Sequence, residues 1–299
     1  MSSFRAKSKR LTGKELDPIP IRLLSENLDI LLPTITNIIN TSLNTAGIVP
    51  RDLKIAVVKP LLKKPSLDKN LLKNYRPISN LPCLSKILEK VVLHKHHSHL
   101  QENNLSNPFQ SAYRAGHSTE NVLLRMVNDI LSALDNENIS VLLLLDLSAA
   151  FDTIDHHILL SRLNSVFGIQ STALQWFHSY LSDRYQSTSV NNSSSSPSQL
   201  MYGVPQGSVL RPILFVLYTT PLSDIIANHS VNHQLFAADT APEIRSSQSS
   251  DQHHQRTQCI HRRHKNMDDG KSAQTERRQN RSSSLSPFVF LETFYRSPP

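Results

Sequence analysis

The chain has 299 residues, 32 Lys and Arg against 24 Asp and Glu, a formal net charge of +8 and a hydrophobic fraction of 38%. Globular chains usually reach about 45–50% apolar residues, so a core is expected over part of the chain only. Two cysteines, Cys83 and Cys259, exclude a disulfide scaffold and favour an intracellular setting, cytoplasm or nucleus. No run of about 18 apolar residues is present to cross a membrane, and no signal peptide is expected.

The charge is unevenly spread. Residues 1–100 carry 17 basic and 7 acidic side chains, residues 101–250 carry 6 and 12, and residues 251–299 carry 9 and 5. A basic first third beside an acid-rich middle points to a polyanion held by one part and carboxylate chemistry in another.

In chain order, residues 1–49 read as a helical extension. Leu23, Leu24, Leu28, Ile30, Leu31 and Leu32 follow helical spacing that Pro33 interrupts, and Ile35, Ile38, Ile39 and Leu43 continue it to Gly47. Ile55 to Lys59 is a short β-type run that Pro60 is expected to stop. Lys54, Lys59, Lys63, Lys64, Lys69 and Lys73 crowd the loop that follows.

Helices are predicted from Leu84 to about Leu100 and from Ser118 to about Leu134, the second capped by Ser118 or Thr119. Cys83 reads as a core thiol. His94, His96, His97 and His99 read as a basic helix face rather than a metal cluster. The apolar run Val141 to Leu145, closed by Asp146, reads as a buried central strand. Helical spacing returns after Asp155 and from Thr172 to about Tyr185. Asn191 to Ser196 is a polar loop, Ile213 to Tyr218 a buried helix, and His233 to Asp239 one arm of a hairpin.

After about Ser246 the composition belongs to disorder. His253, His254, Cys259, His261 and His264 imitate zinc spacing there but lack a scaffold to hold it.

Three segments bear chemistry. Asp146, six residues before Asp152, closes a rigid strand and is a hard oxygen ligand placed as Mg²⁺ requires, although an Asp at a strand end also serves turns and caps. Gly203 and Gly207 flank Pro205 and Gln206 and permit close backbone approach before a helix start. Phe236-Ala237-Ala238-Asp239 occupies the hairpin.

In this order, with Leu72 to Ser79 and Phe109 to Thr119, the segments resemble the reverse transcriptase domain of non-LTR (LINE-type) retrotransposons, from about Asp17 to Pro242. The resemblance implies an α+β fold: the fingers and palm of a right-hand polymerase, with an antiparallel palm sheet packed on helices and the thumb missing. Fingers would comprise about 50–140 and 166–202, and palm about 141–165 and 203–246. It implies RNA-directed DNA synthesis from deoxynucleoside triphosphates on an RNA template and DNA primer, by two Mg²⁺ ions about 3.5–4 Å apart.

Residue by residue, Asp146 matches the first metal-binding carboxylate, and Phe151 the steric gate against the ribose 2′-hydroxyl. Gln206 and Gly207 match the loop on the templating base and incoming nucleotide. Arg76 and Arg114, with Lys59, Lys63, Lys64 and Lys73 around them, match cations that hold triphosphate and template phosphates.

The family writes its hairpin aromatic-Ala-Asp-Asp, and here Ala238 stands at the first Asp position, leaving Asp239 as the second metal ligand. Arg211 stands where the family usually has Gly. Polymerase activity is therefore expected to be severely impaired. The alternatives are a non-catalytic RNA- or DNA-binding remnant and a translated pseudogene without function. The Trp-Met helix and Leu-Asn segment expected beyond the hairpin are missing, although reading Met267 to Ser284 one base later permits both. A frameshift between about Ser246 and Gln258 is therefore expected, with residues 247–299 a frameshifted tail.

Overall fold

The structure, a computed structural model, describes residues 16–17, 20–136, 139–146, 151–191, 193–229, 232–237, 239–246 and 289–294. The fold is α+β, as expected, and divides into two compact units, Met1–Asn104 with Phe151–Leu214 and Leu105–Ala150 with Phe215–Pro299. The expected fingers range is thus shared between them, residues 105–140 grouping with the strand that ends in Asp146.

In the first unit, α1 (Ile21–Glu26) and α2 (Leu28–Asn40) break at Asn27, not at Pro33. Pro33 lies more than one turn inside α2, where it forgoes one hydrogen bond to the Asp29 carbonyl without ending the helix. A π-helical turn, Thr41–Ala46, then stops at Gly47 in the left-handed region (φ 57°).

Strand β1 (Ile55–Leu62) pairs antiparallel with β2 (Tyr75–Asn80) and runs through Pro60. The partner explains why. Pro60 faces Pro77, and the Lys63 amide bonds the Asn74 carbonyl at 2.8 Å, which by alternation makes the Pro60–Pro77 pair a non-hydrogen-bonded one. Neither proline withholds a needed donor there. On its other side β1 pairs only over Ile55 to Val58, in parallel with β4 (Tyr185–Val190). The polar loop is a hairpin in which β5 (Ser193–Ser194) and β6 (Ser198–Gln199) pair back onto β4.

Helix α3 (Cys83–Glu102) starts where the Asp17 carboxylate accepts the Cys83 amide at 2.8 Å, and Cys83 is buried. Helix α5 (His156–Ser165) is capped by Asp155, which accepts the Ile158 amide at 3.0 Å. Helix α6 (Ser171–Leu181) ends before Tyr185, which already belongs to β4. Leu88 and Val92 of α3, Leu159 and Leu163 of α5, and Trp176, Phe177 and Tyr180 of α6 are buried.

In the second unit, α4 (Thr119–Asp135) begins at Ser118, whose hydroxyl accepts the Asn121 amide at 3.4 Å. Strand β3 (Ile139–Asp146) is internal to a sheet ordered β7-β8-β3-β9, with β7 at Asn232–Phe236, β8 at Asp239–Ser246 and β9 at Val289–Phe294. The tail is therefore not without structure throughout. Val289, Phe290, Leu291 and Phe294 have β-forming side chains, and their segment pairs antiparallel along β3. The zinc-like spacing, Cys259 and the expected frameshift junction lie outside the described residues. Helix α7 (Arg211–Ala227) starts in the first unit and continues in the second, where Phe215, Leu217, Tyr218, Leu222 and Ile226 are buried.

Candidate polymerase site

Register brings two expected ligand positions together in the second unit. Asp146, last in β3, lies opposite Asp239, first in β8, and Phe236 faces Asp239 across the β7–β8 hairpin. The turn contains Ala237 in the left-handed region (φ 57°), and Ala238 lies outside the described residues. Residues directly opposed in an antiparallel pair have Cα atoms about 4.5–5.5 Å apart, so the register sets the Asp146 and Asp239 backbones about that far apart. No group of three or more His, Cys, Asp or Glu that could hold a metal occurs among the described residues.

A segment from the Phe109 to Thr119 motif buttresses this hairpin. The Leu235 amide donates to the Phe109 carbonyl at 2.9 Å, and the Ser111 amide to the Leu235 carbonyl at 3.0 Å. The Gln110 side-chain oxygen accepts the Ala112 amide at 2.9 Å and the Ala237 amide at 3.2 Å. Gln110, which composition and spacing did not single out, thus holds the hairpin turn from its buried side. Below it, His233 Nε2 lies 2.6 Å from the Ser223 hydroxyl. Arg114 is exposed and donates to the Asn107 carbonyl at 3.3 Å.

In the first unit the Gly203–Ser208 loop is clamped on both sides. Gly203 is left-handed (φ 75°), and a Cβ there would lie 2.7 Å from the Asp152 carbonyl oxygen. The Gly203 amide donates to the Ile154 carbonyl at 2.8 Å, and the Val204 amide to the Phe151 carbonyl at 3.3 Å. On the other side Gly207 (φ 137°) packs so closely on β2 that a Cβ would overlap the Ser79 carbonyl oxygen, while the Ser79 amide donates to the Gln206 carbonyl at 2.7 Å. Close approach, the reason for expecting glycine here, is what the structure contains at both positions.

His156 donates through Nε2 to the Gly203 carbonyl at 2.8 Å. Burial pulls its imidazole down from the ordinary histidine range, and that hydrogen bond opposes the shift.

Phe151 is half-buried at the foot of this loop. Arg211, the first residue of α7, lies with its guanidinium carbon 4.9 Å from the Phe151 ring centroid and Nη2 2.9 Å from Asp152 Oδ1. A cation at a helix N-terminus is unfavourable on its own, and the Asp152 carboxylate offsets this.

The expected phosphate-holding cations are exposed. Lys59 and Lys63 are spaced four apart in β1 and its continuation, and Arg76 lies opposite Leu61 between them, so all three share one face of the β1–β2 hairpin. Lys64 and Lys73 sit at its turn end, whereas Arg114 belongs to the other unit.

Among the histidines of α3, His94 is exposed, but His96 does not belong to an exposed basic face. His96 is 6% exposed, and burial together with His97 and His99 lowers its pKa to about 4. His99 Nε2 lies 2.8 Å from the Phe167 carbonyl.

Residues 62–270 match the family model described as reverse transcriptase (RNA-dependent DNA polymerase). The chain belongs to the reverse transcriptase family. The RNA-directed DNA polymerase from mobile element jockey of Drosophila melanogaster is 32% identical over 240 residues, covering 78% of this chain and 25% of that protein. The probable RNA-directed DNA polymerase from transposon BS of the same organism is 33% identical over 173 residues, 58% of this chain and 19% of that protein. Among solved structures, apo telomerase from Candida tropicalis matches 76% of this chain and 51% of its own at TM-score 0.49 and 14% identity.

These relatives make the chain a LINE-type reverse transcriptase domain, spanning about a quarter or less of the curated relatives it matches. No helix of this reverse transcriptase domain is long and apolar enough to cross a membrane among the described residues.

Proposed function

We propose that this reverse transcriptase domain keeps the nucleic-acid-holding surface of an RNA-directed DNA polymerase while having lost most of its capacity for DNA synthesis. One observation carries the reading: Asp146 and Asp239 oppose one another at the ends of β3 and β8, and the residue before Asp239 is Ala238. Asp146 and Asp239 are the residues that would hold Mg²⁺, and their hard oxygens suit it. Bound there, the cation supplies electrostatic stabilisation to a phosphoryl group in transfer. Two carboxylates fit one cation. A pair of cations needs a carboxylate shared between them and more negative charge than two side chains bring, and position 238 supplies none.

The chain's remaining residues bind and orient. Lys59, Lys63 and Arg76 on one hairpin face offer cations to template phosphates and triphosphate without reading base sequence. The clamped Gln206–Gly207 loop offers a rigid backbone edge to the incoming nucleotide, and Phe151 beside it a bulky gate at the ribose. Arg211 over Phe151 narrows that gate. Fingers are assigned to 50–140 and 166–202, and palm to 141–165 and 203–246. The partners are an RNA template, a DNA primer and deoxynucleoside triphosphates.

Primer extension on an RNA template, with the unaltered chain beside Ala238→Asp and Asp146→Ala, tests the reading. Extension by the unaltered chain is expected to match the Asp146→Ala control. A second reading, an RNA-binding remnant, is favoured by the intact cationic face. It predicts salt-dependent RNA binding in a chain that Ala238→Asp does not activate.

A further inference from the structure

We infer that Glu89 of α3 is a positioning residue that holds the Gln206–Gly207 loop in place. Glu89 is 1% exposed, an unusual setting for a carboxylate. Its Oε2 accepts the Val209 amide at 2.5 Å and the Ser208 hydroxyl at 3.0 Å, and its Oε1 accepts the Ser85 hydroxyl at 3.3 Å. Ser208 Oγ also lies 2.7 Å from the Tyr180 hydroxyl and accepts the Leu210 amide at 3.1 Å.

With the one Ser208 proton given to Glu89, the Tyr180 hydroxyl is the donor to Ser208, whose two lone pairs are then both used. Burial, reinforced by Glu89, pushes the Tyr180 phenol well above its ordinary range, which keeps that proton in place.

On the far side of Tyr180 the Arg184 guanidinium carbon lies 4.1 Å from the ring centroid, and Arg184 Nε donates to the Tyr180 carbonyl at 2.5 Å. Both terminal nitrogens of Arg184 are buried without a hydrogen-bond partner among the described residues. The ring face of Tyr180 is thus in contact with that cation.

The consequence falls on the loop. The Val209 and Leu210 amides lie at the entrance of α7, where helical partners are lacking, and Glu89 and Ser208 satisfy them. A carboxylate at that end also suits the helix dipole. From the opposite side, Ser79 of β2 holds Gln206 and backs Gly207. The loop is thus gripped between β2 and the Glu89 carboxylate, and loss of either grip frees Gln206.

The assignment of Glu89 to the loop stands on geometry; only its effect on nucleotide use rests on the function proposed above. Hydrogen–deuterium exchange on the full chain tests the first. In E89L the Val209 and Leu210 amides are expected to exchange about ten-fold faster or more, with the amides of α5 and α6 within about two-fold of wild type. E89Q, which retains an acceptor, should recover most of that protection. Loop amides that exchange no faster in E89L than in wild type, or acceleration shared equally by α5 and α6, would overturn the inference. If E89L does not fold, S208A decides it. The Leu210 amide, which loses its acceptor, is then expected to exchange about ten-fold faster, while the Val209 amide, still held by the Glu89 carboxylate, stays within about two-fold. Equal acceleration of both would overturn the inference.

A kinetic arm in the Ala238→Asp background tests the second part. Here E89L is expected to raise the KM for deoxynucleoside triphosphate about ten-fold with a smaller change in kcat, and E89Q to lie between. Accelerated exchange with an unchanged KM would leave Glu89 as the loop's anchor and remove the nucleotide-facing reading.

Discussion

A methyl group at Gly203 would meet backbone atoms of Asp152, next in the chain to Phe151, and the residue is left-handed as well. Gly203→Ala is therefore expected to cost roughly 1–3 kcal/mol from backbone strain alone, with the Asp152 overlap added to it. Urea unfolding checks this, and a variant as stable as wild type would contradict the clamped loop.

His96 makes a separate prediction. Its pKa of about 4 lies below the ordinary histidine value of 6.5, so between these pH values the unfolded chain takes up a proton that the folded chain refuses. The residue contributes no penalty above about pH 6.5. Stability falls as pH drops from there toward 4, by at most about 3 kcal/mol. His96→Leu should lose less stability than wild type over that window in parallel urea titrations, and identical pH dependence would contradict the buried neutral imidazole.

Residues of this kind divide sharply in how far sequence exposes them. The glycines are legible because close approach leaves few other choices. Glu89 is not, because a partner 119 residues away decides whether its carboxylate is buried.

Among the elements, those whose signals are local are legible in the sequence. Ser118 and Asp155 announce α4 and α5 through caps that act within three residues. The apolar run before Asp146 announces β3 because its shortness and its polar stop are local features of a strand. Expectation and structure part where pairing is non-local. Pro60 stays within β1 because its pair with Pro77 is a non-hydrogen-bonded one, and Val289 to Phe294 form β9 by pairing along β3.

The β1–β2 hairpin supports a prediction at this scale, since its register puts Lys59, Lys63 and Arg76 on one face. Replacing all three by Ala should reduce the slope of log binding constant against log salt for single-stranded RNA by about 2, at about 0.7 for each phosphate left without its cation. An unchanged slope would remove this face from the nucleic-acid surface. The same replacements should leave thermal stability nearly unaltered, because the three side chains are exposed.

Over the whole molecule the net charge of +8 is a sum of unlike parts. The basic first hundred residues include the exposed cationic hairpin. The acid-rich middle includes Asp146 and Asp239, paired with one another at one end of the second sheet. Order and type of the motifs are legible across most of the chain because each is a short run whose residue choices are chemically restricted. The division into two units is not, since residues 105–150 join residues 215–299 through long-range packing that no local pattern encodes.

The function proposed here turns on one missing carboxylate. Primer extension on an RNA template tests it most directly, comparing the unaltered chain, Ala238→Asp and Asp146→Ala at matched Mg²⁺. The account predicts that the unaltered chain extends no faster than Asp146→Ala, and that Ala238→Asp extends faster by about 100-fold or more. Extension by the unaltered chain far above the Asp146→Ala control would contradict it.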